Sequence, residues 1–227
     1  MKTQEDAKKL AIYMKEIGKL VQKETVCVLT NMEEPLGYAI GNSLEVIEAI
    51  EFLKGNMPED VKEVVLSLGS YMMKLAGKGE SLEENKKKML EQIYNGKAYS
   101  KFLELVKKQK GDITYVNDIS KFKKAKFIEP IKSNKDGFIH EISVIEVGKV
   151  SGMLGAGRIK KEDIIDQSVG IILCKKVGDK VKKEDVLAYI HANNKEKAIE
   201  AKENLGKIIK IENIKPERKN MILDIIS

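Results

Sequence analysis

The chain has no tryptophan, two histidines, two cysteines and four prolines in 227 residues. Aromatic residues make up only 5% of it. That is too few to interleave a basic face with the stacking platforms that single-stranded nucleic acid requires. The lysine clusters at Lys86 to Lys88, Lys107 to Lys110 and Lys121 to Lys126 stand near glutamates and read as solvated helix faces and ends. The balance of 41 basic and 35 acidic residues, +6, is that of a mildly basic, well-solvated globular protein without a nucleic-acid partner. Cys27 and Cys174 are far apart, with no CxxC and no Cys/His cluster at metal-ligand spacing. Both read as reduced cysteines buried in strands of a cytoplasmic protein. No apolar run approaches the ~20 residues needed to cross a bilayer, and the chain opens on a charged amphipathic helix, not a signal peptide. A membrane role is therefore not expected.

The first half reads as mostly helical. Thr3 and Asp6 form a capping-box-like start, and Ala7, Leu10, Ala11, Met14, Ile17 and Val21 recur at helical spacing over residues 4–21. V-C-V-L-T, residues 26–30, reads as a buried strand. Asn42 or Ser43 is expected to cap a helix whose stripe is Leu44, Ile47, Ile50 and Leu53, ending at Gly55. Pro58 suits the first turn of a longer helix with Val61, Val64, Val65, Leu68, Met72 and Leu75 on one face. Ser81-Leu82-Glu83-Glu84 opens another helix, to about Tyr94, and a further one covers residues 101–108. Gly111-Asp112 closes this helical part.

From Lys126 the apolar period changes from 3.6 to 2. F-I-E-P-I-K-S, G-F-I-H-E-I-S-V-I-E-V, V-G-I-I-L-C-K-K, V-L-A-Y-I-H-A and I-I-K-I all read as strands. Short helices are expected at 161–166 and 195–205. The half-motif K-D-G-F-I-H-E-I and the stretch K-K-V-G-D-K-V-K-K-E-D-V-L-A-Y-I resemble the barrel-sandwich arrangement of biotinyl and lipoyl carrier domains. A carrier displays a lysine at the tip of a tight hairpin, and no M-K-M or D-K-A tripeptide is present, so the sheet reads as scaffold. Glu184 stands where a tight turn favours glycine, and a strained, positive φ is expected there.

Four stretches together carry a family resemblance. V-L-T-N-M-E-E-P-L-G-Y-A-I-G-N-S-L-E-V-I-E-A-I, S-L-G-S-Y-M-M-K-L-A, L-G-A-G-R and K-K-V-G-D-K-V-K-K-E-D-V-L-A-Y-I-H-A-N-N closely resemble pyrimidine-nucleoside phosphorylases, including the thymidine phosphorylases. The resemblance runs along essentially the whole chain, but only to the C-terminal half of that family. It implies phosphorolysis: phosphate, the co-substrate, attacks C1′ of a thymidine, uridine or deoxyuridine, giving free base and pentose 1-phosphate. The family's phosphate signature K-H-S-T-G-G, and the Arg, Ser and Lys that hold the pyrimidine, belong to the other half. His140 and His191 lie instead in strand-like G-F-I-H-E and A-Y-I-H-A. No catalytic or substrate-binding residue is therefore assigned here, and the chain alone is expected to lack activity. The glycines of L-G-A-G-R are a weak phosphate signal, without a strand-to-helix context carrying lysine. An N-terminal half and a homodimeric assembly are the partners implied.

The resemblance also implies a potassium site. Its ligands in this chain would be the carbonyls of Leu36 and Ala39 and the carboxylate of Glu48. A hard cation wants several oxygens, and a loop kinked at Pro35 and Gly37 can turn two carbonyls the same way. From spacing alone, Glu48 reads equally as a solvated border residue of its helix. The expected fold is α/β: a partial α/β phosphorylase domain over residues 1–112, a linker at 113–125, and an α+β lobe with a barrel-sandwich-like sheet over 126–227.

Overall fold

A computed structural model describes residues 3–158, 160–217 and 219–227. Its elements run α1 (Gln4–Leu20), β1 (Cys27–Thr30), β2 (Ala39–Ile40), α2 (Asn42–Leu53), α3 (Glu59–Leu75), α4 (Leu82–Tyr94) and α5 (Lys97–Lys108). There follow α6 (Ile113–Asn117), a 3-10 turn at Ile119–Lys121, β3 (Phe127–Lys132), β4 (Gly137–Ile142), α7 (Val144–Leu154), β5 (Gly170–Leu173), β6 (Lys180–Val181), β7 (Val186–Ala192), α8 (Lys195–Ile208), β8 (Ile209–Glu212) and β9 (Ile222–Ile226). This is a mixed α/β chain with several antiparallel sheets. Among the described residues, no helix is long and apolar enough to cross a membrane.

The chain divides into two compact units. The first comprises residues 1–31, 57–98 and 219–227. Here Thr3 caps α1, its hydroxyl accepting from the Asp6 N–H at 3.1 Å, and Ser81 caps α4 in the same way through Glu84. β1 pairs antiparallel with β9, and α3 packs on α4. Asn85 is fully buried between them, donating to the Ser70 and Gly79 carbonyls.

The second unit comprises residues 32–56 and 99–218. Two antiparallel sheets, in orders β2-β5-β7-β3 and β6-β4-β8, share one apolar cluster with α7 and α8. Ile139, Ile171, Ile190, Val147 and Leu205 lie at its centre, each 1% exposed or less. The pleat of β4, β5 and β7 points the three isoleucines inward, and Val147 and Leu205 come from the buried faces of α7 and α8.

Several sequence expectations are corrected here. G-F-I-H-E-I-S-V-I-E-V is not one strand, because β4 ends at Ile142 and α7 begins at Val144. Val147, Val150, Ser151 and Leu154 are the buried face of that helix, at the i, i+3, i+4, i+7 spacing of a helix whose β-branched start imitates a strand. No helix forms at 161–166: a turn at Lys161–Glu162 leads into irregular chain. The Asp163 carboxylate accepts from the Lys160 N–H at 2.8 Å, a local side-chain bond that competes with helix. Gly111-Asp112 does not close the helical part. Asp112 caps α6 and Asp118 caps the 3-10 turn, accepting from Thr114 and Ser120. Cys27 is half-buried and Cys174 exposed, at the position just past β5. Glu184 does adopt the positive φ expected of it, 72°.

Candidate functional site

The loop Met32–Tyr38 joins β1 to β2 and then to α2. Glu34, Pro35 and Gly37 are buried, while Leu36 between them is exposed. Gly37 takes a φ of 68° and Gly41 one of 142°. A Cβ on Gly41 would meet the Val169 carbonyl oxygen at 2.5 Å, so only glycine lets the chain pass this close to β5 before α2 starts. Gly41 is itself the cap residue of α2, and its N–H donates to Glu45 at 2.9 Å. That displaces the expected caps. Asn42 is already helical, and its amide donates to the Ala156 carbonyl at 2.7 Å. Ala156 belongs to L-G-A-G-R, where Gly155, at φ 111°, ends α7 with a left-handed turn. Those glycines terminate a helix.

Glu48 lies in the second turn of α2. One of its carboxylate oxygens accepts from the Tyr38 N–H at 2.8 Å and the Ala39 N–H at 3.3 Å. Two of the three residues expected at a cation, Ala39 and Glu48, are thus brought together directly. The sheet explains why. β2 is an edge strand; Ala39 pairs with Ile172, and the Leu173 N–H donates to the Tyr38 carbonyl at 2.8 Å. In an antiparallel ladder, residues alternate between facing the partner strand and facing away. Ala39 therefore turns its N–H off the open edge, toward Glu48.

Lys176 was not foreseen. It is 2% exposed, and its ammonium donates to the Pro35 and Gly37 carbonyls, the latter at 2.7 Å. The Tyr38 ring lies 5.5 Å from the nitrogen. A second bond joins the same two segments, from the Val177 N–H to the buried Glu34 carboxylate at 3.3 Å. Lysine is abundant in this chain, and one more in a K-K pair carries no mark. The signal available was its place just before a V-G-D turn, between two buried strands.

Among the described residues, no group of three or more His, Cys, Asp and Glu side chains is placed to hold a metal. Such a cluster suits a transition metal, whereas a hard cation takes oxygen ligands, backbone carbonyls among them. The loop's resources are of that kind: backbone carbonyls and one carboxylate fixed by two N–H groups.

Residues 138–212 match the pyrimidine nucleoside phosphorylase C-terminal domain. The chain matches the C-terminal part of pyrimidine-nucleoside phosphorylases. It is 48% identical over 193 residues to the pyrimidine-nucleoside phosphorylase of Bacillus subtilis (strain 168), covering 85% of this chain and 45% of that protein. It is 47% identical over 196 residues to that of Staphylococcus epidermidis (strain ATCC 12228) and 45% identical to that of Staphylococcus aureus (strain USA300). The chain spans less than half the length of these curated relatives.

Proposed function

We propose that this polypeptide is the scaffold and cation-binding half of a cytoplasmic pyrimidine-nucleoside phosphorylase, completed by the family's N-terminal half in a homodimeric assembly. The whole enzyme would exchange the glycosidic C1′–N bond of a thymidine, uridine or deoxyuridine for a C1′–O bond to phosphate, with the base leaving. Donors for the phosphate dianion and the departing base would come from the other half, because such charge must be met by groups already in place. In the potassium reading, Leu36 and Ala39 offer carbonyl oxygens and Glu48 a carboxylate. The bound ion would supply a fixed positive charge that gathers these oxygens. The observation that carries this reading is Glu48 held on the Tyr38 and Ala39 N–H groups, at the open edge of β2.

The second unit's two sheets support a barrel-sandwich-like scaffold: strands of both sheets contribute to one cluster, Ile139 from one and Ile171 and Ile190 from the other. A non-catalytic role on that scaffold is the competing reading. The need for a covering partner is supported by the first unit, where Tyr13, Met14, Ile17 and Leu20 of α1 are 52–84% exposed. A run of apolar side chains on one helix face marks an interaction surface, and the relatives contain more than as much chain again to cover it.

Mixing the purified chain with an N-terminal half that carries K-H-S-T-G-G should produce phosphate-dependent release of thymine or uracil that neither part gives alone. Vigorous cleavage by the unmixed chain, or none after mixing, would overturn the proposal. In the reconstituted enzyme, Glu48→Ala should abolish the potassium dependence of activity; an unchanged dependence would retire the ligand assignment while leaving the complementation result intact.

A further inference from the structure

We infer that Lys176 is a positioning residue of the cation loop: a tethered ammonium that decides which carbonyls of residues 35–39 remain for a free univalent ion. The inference deepens the cation reading above and rests on it. A lysine head ordinarily reaches water, and burying one is unfavourable unless its donors are met. At 2% exposure Lys176 meets that need with the Pro35 and Gly37 carbonyls and the face of Tyr38.

The consequence for the loop follows residue by residue. Gathering carbonyls 35 and 37 onto one ammonium fixes the 35–36 and 37–38 peptide units, which flank the unit that carries the Leu36 carbonyl. The Tyr38 carbonyl is taken by the Leu173 N–H. The three carbonyls so engaged leave Leu36 and Ala39 as the two other oxygens of the stretch, beside the Glu48 carboxylate that holds the Ala39 N–H. An ammonium and a potassium ion carry the same charge and seek the same ligands, so a loop that feeds both must divide its oxygens between them. Lys176 makes that division before any ion arrives, which lowers the ordering cost of binding.

The lysine itself is held rigidly. Its N–H donates to the Asp179 carboxylate at 2.8 Å, and the Asp179 N–H donates back to its carbonyl at 3.0 Å. Gly178, at φ 90°, allows the tight turn between them. Glu34 meeting the Val177 N–H makes a second clasp beside the first. The V-G-D turn of the sheet therefore reaches across to hold the loop before α2, and the K-K-V-G-D motif acquires a purpose beyond turning the chain.

Amide hydrogen exchange by NMR on the 227-residue chain tests this without reference to activity. Lys176→Met should accelerate exchange at Tyr38 and Ala39 at least tenfold while Leu187 and Ile190 in β7 keep their protection. In the reconstituted enzyme, the same variant should raise the potassium concentration for half-maximal thermal stabilisation at least tenfold, measured against choline chloride. Unchanged exchange at Tyr38 and Ala39 overturns the inference, as does acceleration equal to that in β7. If Lys176→Met does not fold, Lys176→Gln, which keeps a donor without the charge, is read by the same criteria. A wild-type assembly indifferent to potassium, combined with faster loop exchange in the variant, supports the clamp and retires the cation reading instead.

Discussion

The two compact units solve the burial problem differently. The second closes on itself: Ile139, Ile171, Ile190, Val181 and Leu205 are at most 1% exposed, and two sheets and two helices share them. The first leaves much of its apolar surface uncovered. Ile17 and Leu20 on α1 are 61% and 84% exposed, and Met72 on α3 is 70% exposed. Both units obey the same periodicities, so pattern alone does not distinguish them. What differs is whether the partner of each apolar face lies within the same stretch of chain. The second unit holds the large shared cluster, whereas the first carries a run of exposed apolar side chains along α1.

The largest expected effect tests that contrast directly. Ile190→Ala removes a fully buried side chain from the middle of β7 and should cost about 2–5 kcal/mol in urea denaturation, since the surrounding sheets cannot collapse into the space. Ile17→Ser, at an exposed position, should change stability by no more than about 0.5 kcal/mol and should reduce self-association. Equal losses at the two positions would break the distinction between the units. Loss of complementation by Ile17→Ser, without loss of stability, would sharpen it.

A smaller effect is expected where the tightly packed unit tolerates a local cost. Glu184 sits at φ 72°, and its N–H donates to the Ser133 carbonyl at 2.9 Å in the turn before β7. Its carboxylate pairs with Lys132 at 3.2 Å, but both side chains are at least half exposed, so the pair contributes little. Left-handed backbone costs a residue with a Cβ about 1–2 kcal/mol. Glu184→Gly should therefore stabilise by about 1 kcal/mol once the greater freedom of glycine in the unfolded chain is offset. Destabilisation in a thermal melt would mean that the ion pair, or Cβ packing, outweighs the backbone strain.

The reach of sequence reasoning follows the same division. The capped helices were legible because Thr3 and Ser81 announce themselves by local chemistry. The strands β3, β5 and β7 were legible from their alternation. β9 was missed: its M-I-L-D-I-I run has little alternation, and its partner β1 lies nearly two hundred residues away, so only tertiary contact makes it a strand. The start of α7 was misread because Val144, Ile145 and Val147 favour strands until the buried face at Val150 and Leu154 outweighs that preference. At the candidate site, Leu36, Ala39 and Glu48 came from family resemblance, and local spacing left Glu48 ambiguous. Lys176 was not picked out, because its place before the V-G-D turn gains meaning only when residue 176 is brought beside residue 35. Composition and periodicity carry no information about that approach.

The smallest expected effect separates the units by pH. In the first, Lys8 donates to the Asp224 carboxylate at 2.8 Å and the Ile225 N–H donates to it as well, and together they hold its pKa below the usual value. A depressed carboxylate stabilises the fold above its unfolded pKa, about 3.9, and that contribution is lost as pH falls through the folded value. Being exposed, this pair should also weaken with salt. In the second unit, His191 in β7 lies between Ile128 of β3 and Gly170 of β5, and burial lowers its pKa. Below the unfolded value of about 6.5 the unfolded chain takes up a proton that the folded chain resists, so stability falls with pH from there down to the folded pKa and is flat beneath it. Acidification from pH 7 to 5 should consequently weaken amide protection in β7 while β1 and β9 hold theirs, and His191→Gln should flatten that response. If β9 loses protection first over this range, titration of Asp224 and His191 does not govern the order in which the units yield to acid.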